Sequence, residues 1–221
     1  PIRPEEIKRI TPAQDFMDGK TFVTVKLPEL HETKIGNEYV LVPYLITSER
    51  RKIKLTAEEL VKMGYHTDRN PDPENRWSNT SIKEFLSSNN KGVTFLEVHD
   101  SLKKLYDEYV DFGQNPFSSL MSVWVIGTHF HRMFNAYPYI HLNGYMETGK
   151  SKTISLTTLL SFNGEMNVGS KAAFLIRTIH DNNATCGIDE AENLRTDEDS
   201  QVLIGMCNAG YKKGTMVGKS V

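Results

Sequence analysis

Eight consecutive residues, Gly144-Tyr145-Met146-Glu147-Thr148-Gly149-Lys150-Ser151, fit the spacing G-x-x-x-x-G-K-[ST] at every fixed position. The chemistry of that pattern is the holding of a dense anion against the backbone. Glycines at 144 and 149 allow torsions that side chains forbid, so that successive N–H groups can turn inward toward phosphate oxygens. Lys150 has the length and charge to reach the β- and γ-phosphates of a nucleotide. Ser151 offers a hydroxyl to a Mg²⁺ shell, and a helix starting here adds the positive end of its dipole. Tyr145, Met146, Glu147, Thr148 and Lys152 complete the candidate nucleotide-binding positions. By composition alone such a match arises in roughly one chain in a hundred of this length, so the flanking elements must decide.

The pattern needs a strand running in and a helix running out. Tyr137-Pro138-Tyr139-Ile140-His141-Leu142-Asn143 is short, aromatic and β-branched, and predicts a buried strand. Lys150 to Phe162 lacks Pro and Gly and carries Ile154, Leu156, Leu159, Leu160 and Phe162, which predicts a helix with one buried apolar face. A second signal lies 38 residues after Ser151, where the small apolar run Ala184-Thr185-Cys186-Gly187-Ile188 ends in Asp189-Glu190. A buried strand there would deliver both carboxylates to its C-terminal edge, Asp189 to hold Mg²⁺ and Glu190 to orient the attacking water. The alternative is that Asp189, Glu190 and Glu192 only begin a helix, where acids suit the macrodipole.

Together these residues resemble the ATPase core of P-loop proteins, with Walker A at 144–151 and Walker B at 184–190. Several further stretches belong to the likeness: Ser122-Val123-Trp124-Val125-Ile126-Gly127-Thr128-His129, Tyr137-Pro138-Tyr139, Ala172 to Arg177, Ile188 to Glu192 and Asn208 to Gly214. With them the chain is similar to helicase-like or primase-associated ATPases of phages, plasmids and integrated elements, over about residues 117–221. The resemblance implies an α/β P-loop NTPase core preceded by a small α+β region. It also implies ATP and Mg²⁺ as ligands, hydrolysis through Lys150 and Glu190, a link to DNA replication, and assembly into rings in which a neighbour supplies an arginine. Thr185 and Gly187 make the Walker B run less apolar than the family's. Such cores continue past Walker B with a sensor strand, whereas this sequence starts at Pro1 and ends 31 residues after Glu190. It is therefore expected to be part of a longer protein, with Met216 to Val221 opening the next strand and weak turnover in isolation.

The elements that must carry this site are read from periodicity. Residues 1–19 look like a loose charged lead. Lys20 to Leu27 and Glu38 to Leu55 alternate apolar and polar residues and predict a small antiparallel sheet. Thr56 caps a helix from Ala57 to Met63 that stops at Gly64, and Tyr65 to Thr80 reads as a loop. Helices are predicted over Ser81 to Ser88, capped by Thr80 or Ser81, over Glu97 to Phe112, and over Pro116 to Phe134, the last buried beside the phosphate-loop sheet. The organisation read this way is 1–96 as an α+β accessory region, 97–135 as a helical lead-in and 136–221 as the ATPase core.

Composition bounds the rest. A formal charge of −2 over 221 residues is that of an ordinary globular chain, and the absence of a long apolar run or signal pattern predicts neither membrane span nor secretion. Cys186 and Cys207 are expected to be reduced in a cytoplasm. His129 and His131 stand two apart on the predicted helix, so structural roles are preferred to a metal pair. Core packing is likewise preferred to base stacking for Trp124, Phe130 and Phe134. Residues 117–221 hold nine Lys/Arg and nine Asp/Glu, so charge gives no support for tight DNA binding. The basic cluster Arg50, Arg51, Lys52 and Lys54 is the one speculative nucleic-acid contact. Two other readings remain: a nucleotide-dependent binding module or switch acting through an Asn208 to Gly214 loop, and a small-molecule kinase, which would not need the Asp189-Glu190 pair.

Overall fold

A computed structural model describes residues 7–33, 36–73, 77–87, 92–113, 116–145, 147–167, 172–189 and 198–212. Its mixed α/β chain divides into two compact units, one of residues 1–92 with His180–Asn183, the other of residues 93–179 and 184–221. Residues 93–135 belong to the same unit as residues 136–179.

The first unit contains β1 (Lys8–Arg9), β2 (Gln14–Met17), β3 (Lys20–Thr33), β4 (Gly36–Thr47), β5 (Lys52–Lys54), α1 (Ala57–Lys62), β6 (Tyr65–His66) and α2 (Asn79–Leu86). β2 to β5 form an antiparallel meander in chain order, with Val25 opposite Tyr44 and Leu27 opposite Val42. Strand alternation sends one apolar set to each face. Val25, Leu27, Val42, Tyr44 and Ile46 pack with Ile82 of α2, whereas Phe22, Leu45 and Ile53 pack with Ile10, Leu60 and Tyr65. Both faces are thus covered, whereas an alternation of apolar with polar residues predicts one covered face; the sheet itself is as read. Past Leu27 and Val42 the β3–β4 ribbon carries exposed Leu30, Tyr39 and Leu41.

Three expectations need correction here. The lead is not loose from residue 7 onward, because β1 pairs in parallel with β6 and Ile10 is only 1% exposed. Residues 65–80 are accordingly not all loop. α2 begins at Asn79, and its cap is Ser78, whose hydroxyl accepts from the Ser81 N–H. Thr56 caps α1 as read, accepting from the Glu59 N–H.

The second unit contains α3 (Phe95–Tyr109), α4 (Pro116–Thr128), α5 (Lys150–Leu160), β7 (Glu165–Asn167), α6 (Ala172–Asn182), β8 (Cys186–Ile188) and α7 (Glu198–Gly210). A reciprocal capping box between Thr94 and Glu97 starts α3 two residues ahead of the expected helix. Leu102 and Tyr106 of α3 meet Met121, Val125 and Ile126 of α4, with Leu156 and Leu160 packed against them. The apolar α4 is therefore buried by helices rather than beside a sheet. β7 and β8 are parallel and joined through α6, a β–α–β unit. No helix among the described residues is long and apolar enough to cross a membrane.

α4 ends at Thr128, six residues short of the expected helix, and a 3₁₀ turn follows at His131–Met133. His129 and His131 thus lie beyond the helix, and both take structural positions. The His129 ring sits edge-on to Phe162 with Nε2 3.3 Å from the Leu160 carbonyl, and His131 Nδ1 lies 2.9 Å from the Thr128 carbonyl. Burial lowers the pKa of both from 6.5, against a smaller opposing effect of those carbonyls. The unfolded chain then takes up protons that the folded chain refuses, so stability is full above pH 6.5 and falls as pH drops through the lowered values. Thermal melts between pH 7.5 and 5.5 are expected to show this loss, and a His129→Gln/His131→Gln double variant to flatten it; an unchanged slope would count against the buried neutral pair.

Candidate phosphate-binding site

Gly149 opens α5 in the left-handed region, at φ 81° and ψ 13°, where a side chain would be strained. It offers no side chain for capping and α5 has no acid in its first turn, so the N–H groups at this helix end carry partial positive charge with no carboxylate in that turn to offset it. The loop closes on itself through side chains. The Thr148 hydroxyl donates to the Tyr145 carbonyl at 2.8 Å, and Lys150 Nζ donates to the carbonyls of Gly144 at 2.8 Å and Tyr145 at 2.7 Å. A Cβ on Gly144 would come within 2.9 Å of the Thr148 hydroxyl, so both motif glycines have a steric reason. Glu147, Thr148, Gly149, Lys150, Ser151 and Lys152 line a shallow hollow of about 310 Å³. Met146 lies outside the described residues.

The expected strand into the loop is absent: residues 137–143 form no strand among the described residues. Side chains of α4 and the end of α7 hold this segment instead. Trp124 Nε1 donates to the Pro138 carbonyl at 2.8 Å, the Tyr137 hydroxyl donates to the Trp124 carbonyl, and the Tyr137 N–H donates to the Tyr211 carbonyl at 2.9 Å. Gly127 opens the slot on α4, since a Cβ there would overlap the Tyr137 hydroxyl. Pro138 has no N–H for a ladder. Residues 208–210, expected in a loop, form the last turn of α7, and Lys212 bridges Ala136; Lys213 and Gly214 are outside the described residues.

The helix out of the loop is present, and Leu156, Leu160 and Phe162 face the interior as read, Phe162 fully and the two leucines in part, but the most buried positions of the helix itself are threonines. Thr153, Thr157 and Thr158 are buried while Leu159 is 62% exposed. The reason is the sheet beneath. A Cβ on Gly187 of β8 would overlap the Thr158 hydroxyl and lie 2.9 Å from Met166 Sδ and 3.0 Å from Ile154. Small residues on both sides let helix and strand approach closely, so Gly187, which counts against an apolar strand in the sequence, is what this packing requires. Two of the buried hydroxyls have defined partners: Thr153 donates to the Gly149 carbonyl of its own helix at 3.0 Å, and Thr157 accepts from Tyr106 of α3 at 2.9 Å. Sequence periodicity missed these threonines because they score as polar; their spacing at 153, 157 and 158 was the available signal.

This packing fixes where the acids fall. A short turn reverses α5 into β7, β8 runs parallel to β7, and Asp189 follows β8 directly. The carboxyl end of β8 therefore lies toward the end of the sheet where α5 begins, but Asp189 is not among the residues that line the hollow of the loop. Glu190 and Glu192 are outside the described residues, and β8 itself, at Cys186–Ile188, is shorter than the expected 184–188. Cys186 is a packing residue, its thiol pushed up to about 12 mainly by burial. Among the described residues no group of three or more His, Cys, Asp or Glu is placed to hold a metal ion.

The basic cluster of the first unit is largely engaged by its own protein. Arg50, with a left-handed φ of 60°, donates to the carbonyls of Phe85 and Ser87. Lys52 sits 4.0 Å over the Tyr44 ring and Lys54 pairs with Glu29 at 2.9 Å. Arg51 is exposed. Of the three aromatics expected in the core, Trp124 packs as read, but Phe130 and Phe134 are 45% and 46% exposed.

Searches of protein-family profiles, characterised proteins and solved structures return no match to this chain. The α5–β8 contact is open to direct test. Gly187→Ala is expected to destabilise the second unit by about 1–3 kcal/mol through overpacking, and Thr158→Ala in the same chain to recover part of the loss; urea unfolding of the single and double variants measures both.

Proposed function

We propose that this chain binds a nucleoside triphosphate through Gly144 to Ser151 and serves as the ATPase core of a helicase-like, replication-linked P-loop protein. One arrangement supports the reading: the lysine-bearing loop opens α5 toward the end of the β7–β8 sheet at which β8 runs out into Asp189. Lys150 would neutralise charge on the β- and γ-phosphates. Ser151 and Asp189 present a hydroxyl and a carboxylate, the hard oxygen donors that suit Mg²⁺, which when bound draws charge from the phosphate oxygens. In hydrolysis a water oxygen bonds to the γ-phosphorus while its bond to the β–γ bridging oxygen breaks. Glu190 takes the water's proton, and ADP and phosphate leave.

The helicase and replication component rests on the resemblance, since neither the charge balance nor the engaged Arg50, Lys52 and Lys54 favours strong DNA binding. A second reading, a nucleotide-dependent switch without mechanical work, is favoured by a specific contact. The segment entering the loop is tied to the end of α7 through Tyr137, Tyr211 and the Ala136–Lys212 bridge, so occupancy of the loop has a direct route to α7.

Nucleotide affinity and ATP turnover, with and without single-stranded and duplex DNA, distinguish these readings. Lys150→Ala is expected to weaken ATP binding about tenfold or more, the loss of charge-assisted hydrogen bonds. Glu190→Gln should retain binding and lose about a hundredfold in turnover. DNA-stimulated turnover supports the motor, and tight binding without turnover supports the switch. Binding indifferent to Lys150→Ala sinks the phosphate-loop reading.

A further inference from the structure

One residue of the loop is chemically out of place in an anion site. Glu147 puts a carboxylate on the wall of the hollow that also holds Lys150, Ser151 and Lys152. Its backbone is left-handed, at φ 63°, a region that costs a non-glycine residue free energy unless its surroundings hold it there. Its side chain is exposed and makes no hydrogen bond or ion pair among the described residues. The nearest cation in sequence, Lys150, gives its ammonium to the carbonyls of Gly144 and Tyr145. Glu147 thus holds no ion pair among the described residues, although Lys152 and the N-terminus of α5 share the hollow with it, beside the place a polyphosphate would occupy.

Resting on the nucleotide-binding reading above, we propose that Glu147 is an electrostatic gate that admits the nucleotide as its Mg²⁺ complex and disfavours the metal-free form. The physics is like-charge repulsion between a carboxylate and phosphate oxygens at the rim of an open hollow. Metal-free ATP carries about four negative charges at neutral pH and its Mg²⁺ complex about two, so the same carboxylate opposes the free nucleotide about twice as strongly. Repulsion at an exposed rim is screened by salt, because the Debye length is only about 8 Å near physiological ionic strength. The gate is thus strongest in dilute buffer and fades as salt rises. Glu147 does not enter the chemistry of hydrolysis; it acts on which form of the ligand is bound.

Titration calorimetry with ATP, in Mg²⁺ and in EDTA, tests this on the whole chain. Glu147→Gln keeps the side chain's size and removes its charge, and is expected to tighten binding at low salt about fivefold in EDTA and only about twofold in Mg²⁺. Glu147→Asp, which keeps the charge and tolerates left-handed backbone, should behave as the wild type, and raising salt should shrink the Gln effect. Weaker Mg²⁺-ATP binding in Glu147→Gln would make the residue a metal ligand and overturn the gate, as would equal affinities of both variants under all conditions. Lys150→Ala separates the two levels. If it abolishes binding while Glu147→Gln does nothing, the gate fails and the site stands; if the wild type binds no ATP in either buffer, both fail.

Discussion

The close approach of α5 to β8, made by threonines on the helix and Gly187 on the strand, is the constraint on which the second unit's candidate site depends. A helix that meets a sheet through leucines stands further off and tolerates some sliding. One that meets it through Thr153, Thr157 and Thr158 has little room to shift, because small interlocking surfaces lose contacts quickly when displaced. The start of α5 and the end of β8 are thereby held toward one end of the sheet. The same threonines would be a burden if their hydroxyls lacked partners. Bonds to the Gly149 carbonyl and from the Tyr106 hydroxyl remove that cost at Thr153 and Thr157, and the second ties α3 to the helix as well.

Much of this was legible in the sequence, and the parts that were not share a cause. Alternation in Lys20 to Leu27 and Glu38 to Leu55 located the antiparallel sheet, although it is imperfect where both faces are covered, as at Phe22-Val23 and Tyr44-Leu45-Ile46. Thr56 and the motif glycines were readable because they act on their immediate neighbours. The strand expected at 137–143 was misread because aromatic and β-branched residues mark any extended segment with packed side chains, whether or not its backbone is laddered. The buried threonine face was hidden because polarity along the sequence does not reveal a hydroxyl bonded inside the fold, by its own helix at Thr153 and by Tyr106 of α3 at Thr157. β1 escaped because its partner β6 lies more than fifty residues away, beyond the range of any local pattern.

The charges of the first unit are largely spoken for. Cations and acids settle into specific pairs: Arg9 with Asp68, Lys54 with Glu29, Lys26 with Asp72. Exposed pairs of this kind add little stability, yet they occupy charges that a nucleic acid would otherwise meet. Arg50 is engaged more firmly, since its guanidinium bonds to the carbonyls of Phe85 and Ser87 at the end of α2 and lies 5.7 Å from the Phe85 ring. A basic run in a sequence is therefore a poor guide to a binding surface when its residues flank a hairpin turn that other elements must cover.

The unladdered approach to the loop has a mechanical consequence. A strand inside a sheet holds its neighbours by a row of equivalent bonds, and loss of one is shared among the rest. The segment from Ala136 to Asn143 depends instead on a few individual contacts, with Trp124 on α4 and Tyr211 at the end of α7 prominent among them. A movement of either helix is then transmitted to Gly144 with little averaging. The loop's other anchor, α5, is fixed by close packing on the sheet. Gly144 and Gly149 thus belong to two differently supported parts, and the bond from Lys150 to the Gly144 carbonyl spans them. The Thr148 hydroxyl, bonded to the Tyr145 carbonyl, makes a second tie across the same gap, so the two halves of the loop are joined by side chains of the α5 end rather than by a backbone ladder.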